Sequence, residues 1–164
     1  METVIRAARP EEKNRVWEIF SLVIATGDTY VFEPGSPLEV FEAGWWKYDP
    51  FVAVNDQGLG GTFILRPNYS GLGSHVANAG FMVHPEVQGR GLGRTMGRAC
   101  LLEARKRGFL SMQFNMVIST NEAAVTLWKS LGFQISGTLP RVFRHSRLGL
   151  VDAYVMNRDL SDIV

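Results

Sequence analysis

One stretch near the middle of the chain reads Val83-His84-Pro85-Glu86-Val87-Gln88-Gly89-Arg90-Gly91-Leu92-Gly93-Arg94. It continues a strand predicted over residues 79–83 and leads into a helix predicted over residues 92–106. Between these elements lie three glycines at alternate positions, and glycine lets backbone N–H groups turn inward and lets a ligand come close. The helix start adds unpaired N–H groups and the positive end of its dipole. The stretch therefore predicts a strand-to-helix turn that binds an anion such as phosphate.

Three kinds of phosphate-binding loop share features with this stretch. A Walker A loop requires glycine at position 88 and lysine at position 94, where the chain has Gln88 and Arg94. A dinucleotide-binding loop requires glycine or alanine at position 94 and an acidic residue for the ribose. The third pattern is Gln-x-x-Gly-x-Gly after a strand and Val-x-Pro. It resembles the pyrophosphate loop of the GCN5-related N-acetyltransferases (GNAT), which bind acetyl-CoA. For the stretch alone, a plain glycine-rich turn also stays open.

The composition is that of a globular protein with no dominant charge. Of the 164 residues, 46% are hydrophobic and 20% are charged, and 17 basic against 16 acidic side chains give a net charge of +1. One domain over residues 1–164 is large enough to bury a core. The balanced charge creates no field that favours nucleic acid or an anionic membrane. We therefore expect neither as a partner.

The other chemically reactive residues predict no second site. Cys100 is the single cysteine and falls inside a predicted helix, so it is expected in the core. His75, His84 and His145 lack the spacing of metal ligands, and no Gly-x-Ser-x-Gly elbow occurs. There is no signal-peptide pattern and no run of about 18 apolar residues. A cytoplasmic enzyme or binding protein without a metal is the expectation.

Hydrophobic periodicity divides the chain into alternating strands and helices. Strands are predicted over residues 3–8, 51–54, 61–65, 75–83, 109–118, 133–137 and 148–157, and helices over 9–24, 38–46, 92–106 and 119–131. The unit from residue 75 to 118 predicts two parallel strands with a right-handed crossover. Ser119 and Glu122 form the pattern of a capping box at the last helix, which Gly132 would end. The final two strands are predicted to be joined by a basic segment with Arg141, Arg144, His145 and Arg147.

A second motif strengthens the resemblance. Residues 121–133 read Asn-Glu-Ala-Ala-x-x-Leu-Trp-Lys-x-Leu-Gly-Phe, which is similar to the family's Asn-x-x-Ala-x-x-Leu-Tyr-x-x-x-Gly-Phe helix. The two motifs have the family's usual separation, and the resemblance covers nearly the whole chain, most weakly over residues 26–47. It implies an α/β GNAT fold with a mixed central sheet of about seven strands and flanking helices. In this family the two central parallel strands splay apart around acetyl-CoA.

The resemblance also implies which residues would bind acetyl-CoA as the acetyl donor. The backbone of Phe81, Met82 and Val83 would pair with the pantetheine arm near the thioester, since an open strand edge can satisfy its amides. Asn121 would contact the pantetheine, cap its own helix, or do both. The turn would hold the pyrophosphate through Gln88, Gly89, Arg90, Gly91, Leu92, Gly93 and Arg94.

Trp128 departs from the family pattern. Many members have a tyrosine there, which is thought to protonate the leaving thiolate. An indole N–H can donate a hydrogen bond but does not act as an ordinary acid. Because thiol pKa values are roughly 8.5, solvent could supply the proton instead. The catalytic acid and base are therefore not identified by the sequence.

Two asparagines are candidates for binding the acceptor. Asn78 and Asn115 lie in segments that resemble the fungal N-acetyltransferases that detoxify azetidine-2-carboxylate, where the matching asparagines line the substrate pocket. The phosphinothricin-type acetyltransferases are also similar. The alternative is that both side chains satisfy buried backbone groups. The resemblance implies a small-molecule amine substrate, such as an amino acid or an analogue.

The aromatic loop over residues 26–37 bears on the choice between functions. A closed pocket under it suits an amino-acid substrate, with Tyr30 and Glu33 as candidate contacts, whereas an open groove across it suits a protein N-terminus or a lysine. It could also be an ordinary covering loop. A non-catalytic acyl-CoA sensor is a third function, favoured by the missing tyrosine. A homodimer is compatible with all three.

Overall fold

The strands and helices follow the order predicted from the sequence. The structure is a computed structural model that describes residues 2–164, and within that range it has seven strands and four α-helices. The strands are β1 (Val4–Ala7), β2 (Phe51–Asn55), β3 (Gly58–Pro67), β4 (Val76–Val83), β5 (Ser111–Ile118), β6 (Gln134–His145) and β7 (Gly149–Asp159). The helices are α1 (Lys13–Ile24), α2 (Leu38–Gly44), α3 (Leu92–Lys106) and α4 (Glu122–Ser130).

The strands form one mixed sheet in the order β1-β2-β3-β4-β5-β7-β6. Every neighbouring pair is antiparallel except β4 and β5. These two central strands pair only at Val76–Ser111 and Ala77–Met112 and diverge beyond that point. On its β5 side, β4 therefore pairs with no described strand from Asn78 onward. The predicted α/β fold with splayed parallel strands is confirmed.

Two apolar cores cover the two faces of this sheet. Successive side chains of a strand point to opposite faces, so Phe63 of β3 belongs to one core and Ile64 to the other. The first core lies under α3 and α4 and includes Met96 and Trp128. The second lies under α1 and α2 and includes Phe41. The gap between β4 and β5 is an opening in the sheet between these two faces.

The predicted capping box at α4 is wrong. Ser119 directly follows β5, and its N–H donates to the Asp152 carbonyl oxygen of β7 at 3.0 Å. Asn121 is the N-cap of α4 instead, and its Oδ1 accepts a hydrogen bond from the Ala124 N–H at 3.2 Å. Gly132 follows the helix with a φ of +90°, as predicted for a helix end.

The basic segment predicted as a connection is largely strand. Arg141, Arg144 and His145 all lie within β6, and of the four basic residues only Arg147 lies between β6 and β7. The register of β6 shifts between Leu139 and Phe143, where extra residues bulge out of the pairing. Arg141 sits in this bulge with a φ of +53°, and its N–H donates to Asp152 Oδ1 at 2.9 Å. The bulge interrupts the alternation of side chains that would mark a continuous strand.

Candidate active site

A cavity of about 320 Å³ opens in the gap between β4 and β5. Ligand pockets usually measure roughly 300–1,000 Å³, so this one suits a small ligand. Glu33 is not among its lining residues; it is exposed on the loop after α1. The predicted site residues that do line the cavity are Tyr30, Asn78, Phe81, Asn115, Asn121 and Trp128.

The hydroxyl of Tyr30 covers the unpaired edge of β4. It accepts a hydrogen bond from the Phe81 N–H at 2.7 Å and donates one to the Phe81 carbonyl oxygen, also at 2.7 Å. The tyrosine ring lies edge-on to Trp45, with centroids 6.1 Å apart, and is stacked on Phe32 at 6.2 Å. Burial raises the pKa of Tyr30 above its usual range, so the hydroxyl is protonated at neutral pH.

The backbone groups of β4 point alternately to β3 and to the gap, which reduces the number of residues that could contact pantetheine. Backbone groups of alternate residues point to the same edge of a strand. The His84 N–H donates to the Gly60 carbonyl oxygen on the β3 side, at 2.8 Å, whereas Phe81 directs its groups into the gap. By this alternation Met82 faces β3 and Val83 faces the gap. A pantetheine in the gap would therefore meet the backbone of Phe81 and Val83.

The glycine turn lies at the carboxyl end of β4 and begins α3. Gly89 and Gly91 have φ angles of +75° and +82°, a conformation that favours glycine. No neighbouring atom lies within 4 Å of where a Cβ would stand at either position. Gly91 is the N-cap of α3, so the N–H groups of the first turn have no partner within the helix. The turn offers the space and the donors that a phosphate requires.

The other residues of the turn divide between the protein interior and solvent. Leu92 and Gly93 are partly buried, and a Cβ at Gly93 would lie 3.3 Å from a side chain of α4. Gln88 Nε2 donates to the Val83 carbonyl oxygen at 3.5 Å, at the side of the gap. The exposed side chains of the turn are those of Gln88, Arg90 and Arg94.

Helix α4 contributes Trp128 and Asn121 to the cavity. The Trp128 ring is 8% exposed and packs against Phe81 and Phe114, with centroids 4.8 and 4.7 Å away. Asn121 uses Oδ1 to cap the helix, and its Nδ2 group donates to none of the described residues. The cap and a ligand contact through Nδ2 are compatible.

Asn68 links the two asparagines that the sequence singled out. Asn68 and Asn115 exchange two hydrogen bonds between their side-chain amides, at 3.1 and 2.7 Å. Asn78 Nδ2 donates to Asn68 Oδ1 at 3.1 Å, and Gln113 Nε2 donates to Asn115 Oδ1 at 2.9 Å. These partners are side chains rather than backbone groups. Asn78 Oδ1 accepts from no described residue, so it is the acceptor atom that this amide cluster leaves for a ligand.

Arg66 is a lining residue that the sequence did not predict. It lies opposite Asn78 in the pairing of β3 with β4, and its Nη1 donates to the Tyr48 hydroxyl at 3.1 Å. Its guanidinium carbon lies 4.7 Å from the centroid of the Tyr48 ring. No carboxylate of residues 2–164 forms an ion pair with it. The hairpin register, rather than any local pattern, was the signal that could have identified it.

Other reactive groups are structural. Cys100 is fully buried, and burial raises the pKa of its thiol. His84 is buried and its Nδ1 accepts a hydrogen bond from the Glu86 N–H at 3.3 Å. Across residues 2–164, no group of three His, Cys, Asp or Glu side chains could hold a metal ion. None of the helices in the same range is long and apolar enough to cross a membrane.

Two curated proteins are informative relatives. N-acetyltransferase aca1 of Schizosaccharomyces pombe is 40% identical over 96 residues, which is 58% of this chain and 46% of that protein. L-amino acid N-acyltransferase MnaT of Escherichia coli is 37% identical over 68 residues, which is 42% of this chain and 39% of that protein. The chain therefore matches less than half the length of these relatives.

Solved structures match the chain along nearly its whole length. A GCN5-related N-acetyltransferase from Kribbella flavida has a TM-score of 0.90 and 35% identity, and the match covers 96% of this chain and 97% of that chain. The fold is also that of yncA from Salmonella typhimurium, solved with acetyl-CoA, at a TM-score of 0.83, 24% identity and coverage of 100% and 97%. The model of the Acetyltransferase (GNAT) family matches residues 16–133. With the splayed central strands and the glycine turn, this match establishes that the chain belongs to the Acetyltransferase (GNAT) family.

Proposed function

We propose that the protein is an N-acetyltransferase that transfers the acetyl group of acetyl-CoA directly to the amine of an amino acid or a close analogue. The gap between β4 and β5 carries this proposal. The glycine turn lies at the end of the gap that is next to the carboxyl end of β4, and it offers free space and the N–H groups of the first turn of α3. Along its length lies a small cavity lined by an arginine and by amide side chains. The acetyl donor and the amine acceptor would meet inside this gap between the two strands.

The residues of the gap fit an acyl-CoA donor. The space above Gly89 and Gly91 and the N-terminus of α3 suit a pyrophosphate. Phe81 and Val83 direct backbone groups at the place where pantetheine amides would run, as a partner strand would need. When bound, acetyl-CoA supplies an acetyl group activated as a thioester. The Phe81 N–H would polarise the acetyl carbonyl, as backbone donors do in other acyl transfers.

The acceptor side of the cavity suits an amino acid. Arg66 has no carboxylate partner among the described residues, and a guanidinium binds carboxylates in a bidentate way. Asn78 Oδ1 is free to accept a hydrogen bond from an amine. Both side chains extend from the same face of the β3–β4 pair, opposite each other in register. The relative named as an L-amino acid N-acyltransferase supports this substrate class.

The chemistry of the lining also favours an α-amine. The lining residues include no Asp, Glu or His, so the amine must lose its proton to water. An α-amine has a pKa of about 8 and is partly neutral at physiological pH, whereas a lysine amine near 10 is almost fully charged. The neutral amine then forms the C–N bond, the C–S bond breaks with its electron pair on sulfur, and the new amide nitrogen releases its extra proton to water. Solvent protonates the thiolate, and holding the two reactants together supplies most of the acceleration.

The loop after α1 lies along the cavity and bears on the size of the substrate. Thr29 to Phe32 line the cavity, and Tyr30 is hydrogen-bonded across it to β4. A peptide or protein substrate would need this loop to leave a path for its chain. The bond between Tyr30 and β4 therefore favours a free amino acid over a protein N-terminus.

The test is a screen for coenzyme A release with free amino acids, proline analogues, polyamines and short peptides. We expect turnover with one class of free amino acid or analogue, and the N-acetyl product in mass spectra. Activity confined to peptides or polyamines would contradict the amino-acid assignment. Tight acetyl-CoA binding with no turnover on any amine would favour the acyl-CoA sensor.

A further inference from the structure

The loop after α1 places one phenolic hydroxyl on the backbone groups where the transfer would occur. Tyr30 is 51 positions from Phe81 in sequence, yet its hydroxyl bonds to both the N–H and the carbonyl oxygen of that residue. An unpaired strand edge would otherwise present these groups to water or to a ligand. The Phe81 N–H is also the donor that the proposed function assigns to the acetyl carbonyl. Tyr30 therefore occupies the position that the carbonyl oxygen would take.

The hydrogen-bonding capacity of the hydroxyl allows an exchange rather than a simple block. A phenol has one O–H donor and can accept on oxygen. When an acetyl oxygen takes the Phe81 N–H, the Tyr30 hydroxyl can shift aside and turn its O–H from the Phe81 carbonyl to that same oxygen. The N–H then keeps an acceptor, and the hydroxyl keeps a group to donate to. The Phe81 carbonyl oxygen loses the Tyr30 donor in this exchange, and an amide N–H of the pantetheine arm would replace it.

We propose that Tyr30 is a catalytic residue of this acetyltransferase, whose hydroxyl donates a hydrogen bond to the acetyl carbonyl oxygen alongside the Phe81 N–H. This inference rests on the proposed function, because it assumes that acetyl-CoA binds in the gap. Negative charge develops on that oxygen as the amine attacks. Two aligned donors would stabilise it more than one.

The alternative role for Tyr30 is the acid that family members with tyrosine at the Trp128 position are thought to use. Proton transfer to a thiolate is favourable only if the phenol is the stronger acid, and thiols have a pKa of roughly 8.5. Burial moves the pKa of Tyr30 further above that of the thiol. Tyr30 therefore acts as a neutral donor that is not consumed. Both the proton lost by the amine and the proton gained by the thiolate pass through solvent.

The surroundings hold the tyrosine ring beside the edge of β4. Trp45 meets the tyrosine ring edge-on and is itself anchored, since its Nε1 donates to Thr62 Oγ1 at 3.2 Å. Gly80 makes room for this tryptophan: a Cβ there would lie 3.0 Å from the indole ring. The ring of Phe81 packs on Trp128 with centroids 4.8 Å apart. Tyr30 and Trp128 thus contact the same residue of β4, one at its backbone and the other at its side chain.

The test compares Tyr30→Phe with Tyr154→Phe, which removes a phenolic hydroxyl from β7 outside the cavity. We expect Tyr30→Phe to lower kcat by about 100-fold, in the range found when one such donor is removed. The KM for the amine and the shape of the pH profile should stay unchanged, and Tyr154→Phe should behave as wild type. Unchanged kcat in a folded Tyr30→Phe enzyme would overturn the inference. Loss of the alkaline limb of the profile would also overturn it, by assigning Tyr30 the role of acid.

A second readout does not depend on turnover. Infrared difference spectra of acetyl-CoA labelled with ¹³C at the carbonyl report hydrogen bonding to that oxygen. We expect the bound carbonyl stretch to lie at lower frequency on wild type than on Tyr30→Phe. Equal carbonyl frequencies on wild type and Tyr30→Phe would overturn the inference. If the variant does not fold, a wild-type frequency equal to that of acetyl-CoA in water would overturn it. Failure of acetyl-CoA to bind at all would instead refute the proposed function.

Discussion

Replacement of Gly91 by aspartate tests the role of the glycine turn. Gly91 has a φ of +82°, and no neighbouring atom lies within 4 Å of where a Cβ would stand. A side chain therefore has room, and the cost is that of a left-handed backbone, roughly 1–2 kcal/mol. Asparagine and aspartate tolerate this conformation best and are also favoured N-caps. We expect both Gly91→Asp and Gly91→Asn to fold.

The two variants differ by a single charge, which sets the size of the effect. A carboxylate about 6 Å from a phosphate charge, at an effective dielectric constant of about 40, costs roughly 1.4 kcal/mol. Two such pairs with a pyrophosphate approach roughly 3 kcal/mol before salt screens them. Since 1.4 kcal/mol is a factor of ten, the aspartate should weaken acetyl-CoA binding by about ten- to a hundredfold relative to asparagine.

Calorimetric titration of both variants with acetyl-CoA, at low and at high salt, measures this difference. The gap between aspartate and asparagine should narrow as salt rises, because the interaction is between exposed charges. Equal affinities for two folded variants at low salt would refute the placement of the pyrophosphate at this turn. A circular dichroism melt of each variant serves as the folding control.

Three further predictions concern α4 and the amide cluster. Trp128→Phe should keep most of kcat because the ring fills space, whereas Trp128→Ala should lose roughly 3–5 kcal/mol of unfolding free energy in a denaturant titration; collapse of kcat in the folded Phe variant would instead give the indole N–H a catalytic role. Asn121→Ala should lower Tm by about 2–4 °C through loss of the cap, while Asn121→Ser should not, and equal Tm values would contradict the cap. Asn78→Ala should lower kcat/KM by about ten- to a hundredfold without changing acetyl-CoA affinity. The loss of kcat/KM should be larger in Asn78→Ala than in Asn115→Ala, because the Asn115 amide is already bonded within the cluster. A larger loss in Asn115→Ala would reverse these roles.

The fold was readable from the sequence where the signals are local. The glycine turn and the apolar spacing after it predicted a helix over residues 92–106, and α3 spans Leu92–Lys106. Local signals also misled. Ser119 and Glu122 have the spacing of a capping box, but a backbone hydrogen bond to Asp152 holds Ser119 beside β7. Such a bond depends on a strand far along the chain, so no local pattern reports it.

In the candidate site, too, the residues in local motifs were predicted and the features that depend on distant contacts were not. Trp128, Asn121 and the two asparagines were singled out from motifs and do line the cavity. Arg66 was missed because β3 was predicted to end at Leu65, whereas its pairing with β4 extends it to Pro67. The bond between Tyr30 and Phe81 joins a loop to a strand 51 residues away. Contacts of this kind follow from how the elements pack, so no local pattern in the sequence predicts them.

We propose that the acceptor carries a carboxylate beside its amine and that Arg66 binds this carboxylate. The most direct measurement compares kcat/KM for the best amino acid with that for the amine left when its carboxylate is removed, on wild type and on Arg66→Met. We expect wild type to prefer the amino acid at least tenfold, because a charged hydrogen bond contributes roughly 1.5–3 kcal/mol, and we expect Arg66→Met to lose the preference. Wild-type enzyme that acetylates the decarboxylated amine equally well or better would contradict it.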